Sequence, residues 1–145
     1  MRTITVLFSL LCLYQISTSD GKQQKCDLRG QWRNELGSNM TVESMNNAGF
    51  FRGSYMTAVT TQNEMVVKVS PLSGFLNING KSTVFGFLVK WSFVESVTSW
   101  VGQCFVDSNG VEHLETMWLL RGKAQSAGDD WAQTRVGKNV FHRIQ

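Results

Sequence analysis

The chain has 145 residues, 42% apolar, 11% aromatic and 17% charged, with 13 Gly, one Pro, three Cys and five Trp. This is the composition of one globular domain and not of a disordered chain. The charges net only +3 and stand singly, so no basic stripe exists to follow a nucleic-acid backbone. There are two His and no C-x-x-C, H-E-x-x-H, G-x-x-x-x-G-K or G-x-S-x-G string. The commonest short signatures of metal, phosphate and acyl-transfer chemistry are therefore missing, which disfavours an enzyme.

In chain order, Met1-Arg2 is a short positive segment, Ile4 to Tyr14 is apolar, and Ser17-Thr18-Ser19 supplies small residues before a cut. This pattern predicts a secretory signal peptide over residues 1–19 and a single secreted domain over residues 20–145. The apolar run is shorter than the roughly 20 residues a membrane span needs, and nothing later is longer, so no membrane partner is expected. Cleavage removes Cys12 and leaves Cys26 and Cys104, an even pair in an oxidising compartment, for which one intradomain disulfide is the economical reading. Asn39-Met40-Thr41 is the one N-x-[ST] sequon, making Asn39 the candidate glycan site.

The rest reads as strands and turns without a convincing helix. Gly30 to Leu36, Asn39 to Met45, Phe50 to Val59, Met65 to Ser70, Leu72 to Ile78, Ser82 to Phe93, Ser96 to Val106, Val111 to Arg121 and Trp131 to Ile144 are rich in Val, Thr, Phe, Trp and Tyr. Turn chemistry separates them at Leu36-Gly37-Ser38, Asn46 to Gly49, Asn79-Gly80, Asp107 to Gly110 and Ala127 to Asp130. Two of the segments count as one interrupted strand. About eight strands joined by short loops, with no helix to cover a face, predict an antiparallel up-and-down β-barrel able to enclose one small ligand.

Strand parity then says what lines it, because successive side chains alternate between faces. Phe85, Phe87, Val89, Trp91 and Phe93 share one face, as do Leu114, Thr116, Trp118 and Leu120; both sets should point inward. Trp32 goes with Asn34, Tyr55 with Thr57, Ser96 with Thr98 and Trp100, and Asn139 with Phe141. Polar groups thus sit among aromatics, explained either by mutual hydrogen bonds or by a polar ligand.

Six blocks carry a family resemblance: Gly30-Gln31-Trp32; Leu36 to Thr41; Gly53 to Thr60; Gly102-Gln103-Cys104-Phe105; Thr116 to Arg121; and Gly128-Asp129-Asp130-Trp131. Lipocalins share a G-x-W, but not the full ordered set. From Cys26 to Arg143 the chain resembles the avidin family. The resemblance implies an eight-stranded calycin-type barrel that traps biotin without catalysis and needs no cofactor. It further implies that Asn34, Ser38 and Tyr55 donate to the ureido oxygen of biotin and that Asn139 and Thr57 accept from the ureido N–H groups. Thr98 would face the thioether sulfur, and Trp91, Phe93, Trp100, Trp118 and Leu120 would box the rings. Thr60, Thr61 and Ser96 would meet the acid tail. Trp131 would reach into the site of a neighbouring subunit, which makes self-assembly part of binding.

The chain departs from the family pattern at the tail end. The Thr60 to Asn63 connection is one residue shorter, and Val94 stands where avidins carry a serine, so one hydrogen bond to the carboxylate should be missing. Trp100 replaces a phenylalanine of avidins and keeps the wall aromatic. Met117 and Leu119 alternate with Trp118 and Leu120, so this strand is apolar on both faces and calls for an outside partner. In the family tetramer the positions of Met117, Val136 and Lys138 form a small interface, and Lys138 replaces an isoleucine. A homotetramer with that interface weakened is expected, a dimer being the alternative.

Other polar residues have plain readings. Asp129 and Asp130 are a solvated loop pair, Glu112 and Glu115 have opposite parity, and His113 and His142 are surface residues. Cys104 is no free nucleophile if Cys26 oxidises it. Two other functions compete with biotin binding: a calycin-type carrier of a different small ligand, and a secreted interaction protein or lectin whose barrel is only a core. A retuned carrier should have lost at least one of Asn34, Ser38, Tyr55, Thr57 and Asn139, and all five are present.

Overall fold

Alternating polar and apolar residues give each strand one face to bury, and eight such strands solve the edge problem by closing on themselves. The computed structural model describes residues 25–58 and 68–144. The expected signal peptide, with Cys12, and the candidate tail contacts Thr60 and Thr61 lie outside the described residues. The strands are β1 (Gly30–Asn34), β2 (Asn39–Met45), β3 (Phe50–Thr57), β4 (Lys68–Leu76), β5 (Thr83–Lys90), β6 (Ser96–Val106), β7 (Glu112–Gly122) and β8 (Thr134–Arg143). Each pairs antiparallel with the next, and β1 pairs with β8, so the sheet is a closed barrel in chain order.

Where the prediction rested on parity it agrees with the barrel. Phe85, Phe87 and Val89 of β5 are buried while Val84 and Leu88 are exposed, and Leu114 and Thr116 of β7 are buried while Met117 is exposed. Cys26 and Cys104 form the disulfide, with Cα atoms 6.1 Å apart. It ties the segment before β1 to β6. Cys26 N–H also donates to Thr83 Oγ1 at 3.0 Å.

The differences arise at strand ends. Pro71 does not divide two strands: β4 runs through it, and Pro71 sits one residue outside the ladder with β5, which begins at Leu72. β1 stops at Asn34 and not Leu36, because Asn34 Oδ1 accepts the N–H groups of Leu36 at 3.1 Å and Ser38 at 2.8 Å and turns the chain. Gly37, at φ 84°, completes that turn in a conformation other residues avoid. β5 ends at Lys90, short of Phe93, and the final strand starts at Thr134 and not Trp131. Residues Ala127–Gln133 form a 3-10 turn, begun where Ser126 donates its hydroxyl to Asp129 and accepts its N–H. Asp130 is held there by Arg121. His113 is half-buried, its ring stacked on Phe105 at 5.7 Å.

The outer face of β5 to β8 is apolar. Val101 pairs across to Met117, and Leu119 to Val136. Val101, Met117 and Val136 are 63%, 63% and 70% exposed. Lys138 lies opposite Met117 in the same row.

Candidate functional site

One end of the barrel opens into a cavity of about 280 Å³. Thirteen of the expected contacts lie among the described residues, and twelve of them line the cavity: Asn34, Ser38, Tyr55, Thr57, Trp91, Phe93, Ser96, Thr98, Trp100, Trp118, Leu120 and Asn139. Trp131, the thirteenth, is 81% exposed on the 3-10 turn and does not line the cavity of its own chain. Asn39 lies at the first residue of β2, half-buried, with Oδ1 accepting from Arg33 Nε at 2.8 Å.

The polar lining has two ends of opposite hydrogen-bonding character. At the first, the Asn34 side-chain oxygen is committed to the β1–β2 turn, so its amide nitrogen is turned inward and donates to the Tyr55 phenol at 3.3 Å. Ser38 Oγ accepts the N–H of Ala58 at 3.0 Å, which directs its own proton toward the phenol to which it is bonded. Burial pushes Tyr55 up to about 12, against a smaller opposing effect from the Ser38 bond, so the phenol keeps its proton. Three potential donors, Asn34, Ser38 and Tyr55, therefore converge on one spot.

At the second, Asn139 Oδ1 accepts from the Trp100 indole N–H at 3.2 Å, and its Nδ2 donates to Glu35 Oε1 at 2.8 Å. An indole only donates and a carboxylate only accepts, so these two bonds assign the amide orientation and leave Oδ1 facing inward with a second lone pair. Every buried side-chain polar atom among the described residues has a hydrogen-bond partner. The mutual bonding that parity left open is thus real, and it serves to aim the groups.

Aromatic rings wall the space between. Tyr55 and Trp100 stack at 5.2 Å, Trp100 and Phe87 at 5.0 Å, and Trp91 meets Tyr55 edge-on at 5.6 Å. Trp91 and Phe93 lie beyond the end of β5, yet they still face inward. Ser92, between them, donates its N–H to Ser70 Oγ and its hydroxyl to Val69 O, tying the turn back to β4. Trp91 Nε1 donates to Thr98 Oγ1 at 2.8 Å and fixes the ring. Trp118 needs Gly137 opposite it, because a Cβ there would come within 2.4 Å of the indole.

Val94 lines the cavity at the tail end where the sequence placed it, and Leu36 and Arg135, which were not among the expected contacts, line it too. Arg135 has the parity of Asn139 on β8, a signal that could have found it; Leu36 faces in because of the Asn34 turn, which parity does not describe. Lys68 Nζ sits 4.9 Å from the Phe93 ring centroid, so both added cations are near the mouth. Among the described residues no cluster of three His, Cys, Asp or Glu is arranged to hold a metal.

The chain matches the Avidin family over residues 22–144. It is 49% identical to "Avidin" of Gallus gallus, an alignment covering 99% of this chain and 95% of that protein. Among solved structures it resembles a biotin binding protein from chicken, with TM-score 0.77 and 53% identity over 83% of this chain and 98% of that one. It also resembles Xenavidin, with TM-score 0.78 and 47% identity over 83% of this chain and all of the other. Sequence blocks, strand order and the closed barrel agree along most of its length, and the chain belongs to the avidin family.

Proposed function

We propose that this protein is a secreted, non-catalytic biotin-binding protein that holds one biotin in the mouth of its barrel. One observation carries the reading: potential donors on Asn34, Ser38 and Tyr55 and an oriented acceptor on Asn139 line one cavity together, walled by Trp91, Trp100 and Trp118. Biotin is a bicyclic ureido-thioether with an acid tail, and a ureido group is a carbonyl acceptor flanked by N–H donors. The three donors stabilise a polarised ureido oxygen, while Asn139 and Thr57 take the N–H groups. Thr98 faces the sulfur, and Phe93 and Leu120 complete the apolar wall. The similarity to a chicken protein described as biotin-binding supports the same ligand.

The acid tail leaves through the mouth, past Ser96 and Val94, toward Thr60 and Thr61. A homotetramer covers the apolar outer face of β5 to β8 and brings the exposed Trp131 over the site of a neighbouring subunit. The signal peptide over residues 1–19 directs secretion, and Asn39 carries the glycan. No metal or cofactor takes part.

Calorimetric titration of biotin, then of a biotin amide lacking the carboxylate, into the chain of residues 20–145 tests the reading. Tight binding of about one biotin per chain is the expected result. No heat, with prebound biotin ruled out by denaturing extraction, would refute it and favour a carrier of another ligand.

A further inference from the structure

An asparagine amide has two orientations of nearly equal shape, and only one presents an acceptor to the cavity. In the other, the Asn139 NH₂ would face the ligand N–H and repel it. The choice rests on groups at both ends of the amide. Trp100 Nε1 donates to Oδ1 at 3.2 Å, and Glu35 Oε1 accepts from Nδ2 at 2.8 Å. The Trp100 bond takes one lone pair of the oxygen that a ligand N–H would use, so the two share that atom. The Glu35 bond lies on the far side and competes with nothing. The second Glu35 oxygen accepts the backbone N–H of Val140 at 2.9 Å, so the carboxylate bonds β8 at two successive residues. Glu35 follows Asn34, and the turn that aims the Asn34 donor also carries this carboxylate to β8.

We infer that Glu35 is a positioning residue for the ligand: its carboxylate locks the Asn139 amide with the oxygen inward and polarises that oxygen toward the ligand N–H. This rests on the biotin reading above. Partial burial pushes the Glu35 carboxyl up, but hydrogen bonds from Asn139, its own backbone and Val140 outweigh that and hold it below the ordinary range, so the charge is present near neutral pH. A negative charge behind an amide N–H strengthens the opposite carbonyl as an acceptor, an effect that grows where water is excluded. One segment, Asn34 to Ser38, thereby acts on both kinds of polar group: it carries two of the three donors, and it orients the acceptor through Glu35.

The test is the rate of biotin release from the wild-type chain, from Glu35→Gln and from the double variant Glu35→Gln with Asn139→Asp. The single variant should release biotin about tenfold faster or more, because the glutamine cannot accept from both Asn139 and Val140 and the amide at 139 is free to flip. The double variant should recover most of that loss. A carboxylate at 139 accepts in either orientation, and the glutamine can donate its NH₂ to it while accepting from Val140. If Glu35 only supports the fold, the second substitution leaves release fast or makes it faster, and the inference falls. Equal release from wild type and Glu35→Gln also overturns it. A wild-type chain that holds no biotin refutes the functional reading itself, a result distinct from either. Should Glu35→Gln fail to fold, Asn139→Asp alone takes its place: two carboxylates then face each other and release must be faster than wild type, an unchanged rate being fatal to the inference.

Discussion

The guanidinium of Arg143 lies 4.1 Å over the Trp32 indole and seals the end of the barrel opposite the cavity. Nε pairs with Glu112, and the other nitrogens donate to the backbone carbonyls of Arg29 and Asp27. Trp32 is fully buried and gives its own N–H to Leu28 O at 2.8 Å. One planar cation thus joins β8, β7 and the segment before β1, with a ring beneath it. Lysine would keep the charge but lose the fork and most of the stacking. Arg143→Lys is expected to lower unfolding stability by about 1 to 3 kcal/mol. Denaturant unfolding measures this, and a midpoint equal to wild type would mean that the charge alone suffices.

Tyr55 offers a cleaner spectroscopic handle. The sequence contains two tyrosines, and Tyr14 falls in the expected signal peptide, so the secreted chain would carry Tyr55 alone. Burial raises it from 10.0 to about 12. Because the folded value lies above the unfolded one and the ionised form is the disfavoured one, the folded state binds the extra proton. Stability is therefore unchanged below about 10 and falls as pH rises from there toward the folded value. Tyrosinate absorbance of the native chain should rise with a midpoint near 12. A midpoint at the ordinary value would show a solvated phenol. Tyr55→Phe removes one ureido donor and should weaken biotin binding by about a decade or more, read from dissociation kinetics.

Those two residues also mark what the sequence could and could not convey. Trp32 and Tyr55 follow from period-two alternation, as do Phe85, Phe87, Trp100 and Asn139, because a regular strand fixes which face a side chain takes. The family blocks supplied the roles. What escaped was set by side-chain bonds at strand ends, where alternation stops. The Asn34 turn brings in Leu36, and the Glu35 contact spans β1 and β8; Trp91 and Phe93 face inward as alternation expects, but the Ser92 bonds that tie them to β4 past Lys90 were not legible. The interrupted strand allowed for in the sequence is β4, which runs through Pro71 because the ladder with β5 begins only at Leu72.

Val94 puts an isopropyl group at the mouth of the cavity, at the position where the family resemblance leads to the expectation of a serine. It is 46% exposed, so the position is open to solvent. Val94→Ser should restore one hydrogen bond to the carboxylate and slow biotin release, by up to about tenfold given the solvent access. The gain should be smaller for the biotin amide, whose tail carries no charge. An equal gain for both ligands would indicate that the serine acts on the loop and not on the carboxylate.

Lys138 stands directly across β7 and β8 from Met117, on an outer face that also carries Val101, Leu119 and Val136. If copies of the chain bury that face against each other, the Lys138 ammonium groups approach, and burying like charges opposes the gain from covering the valines and methionine. The opposition is electrostatic and weakens as salt shortens the Debye length from about 10 Å at 0.1 M to about 3 Å at 1 M. Sedimentation of the wild-type chain should therefore show the larger assembly gaining at high salt. Lys138→Ile should favour that assembly at every salt concentration and remove the salt dependence. Hydrophobic association also strengthens with some salts, so the comparison between the two chains, and not the wild-type trend alone, decides the matter. Equal association constants at low salt would mean that Lys138 lies outside the contact, and the weakened-interface reading would then have to be abandoned.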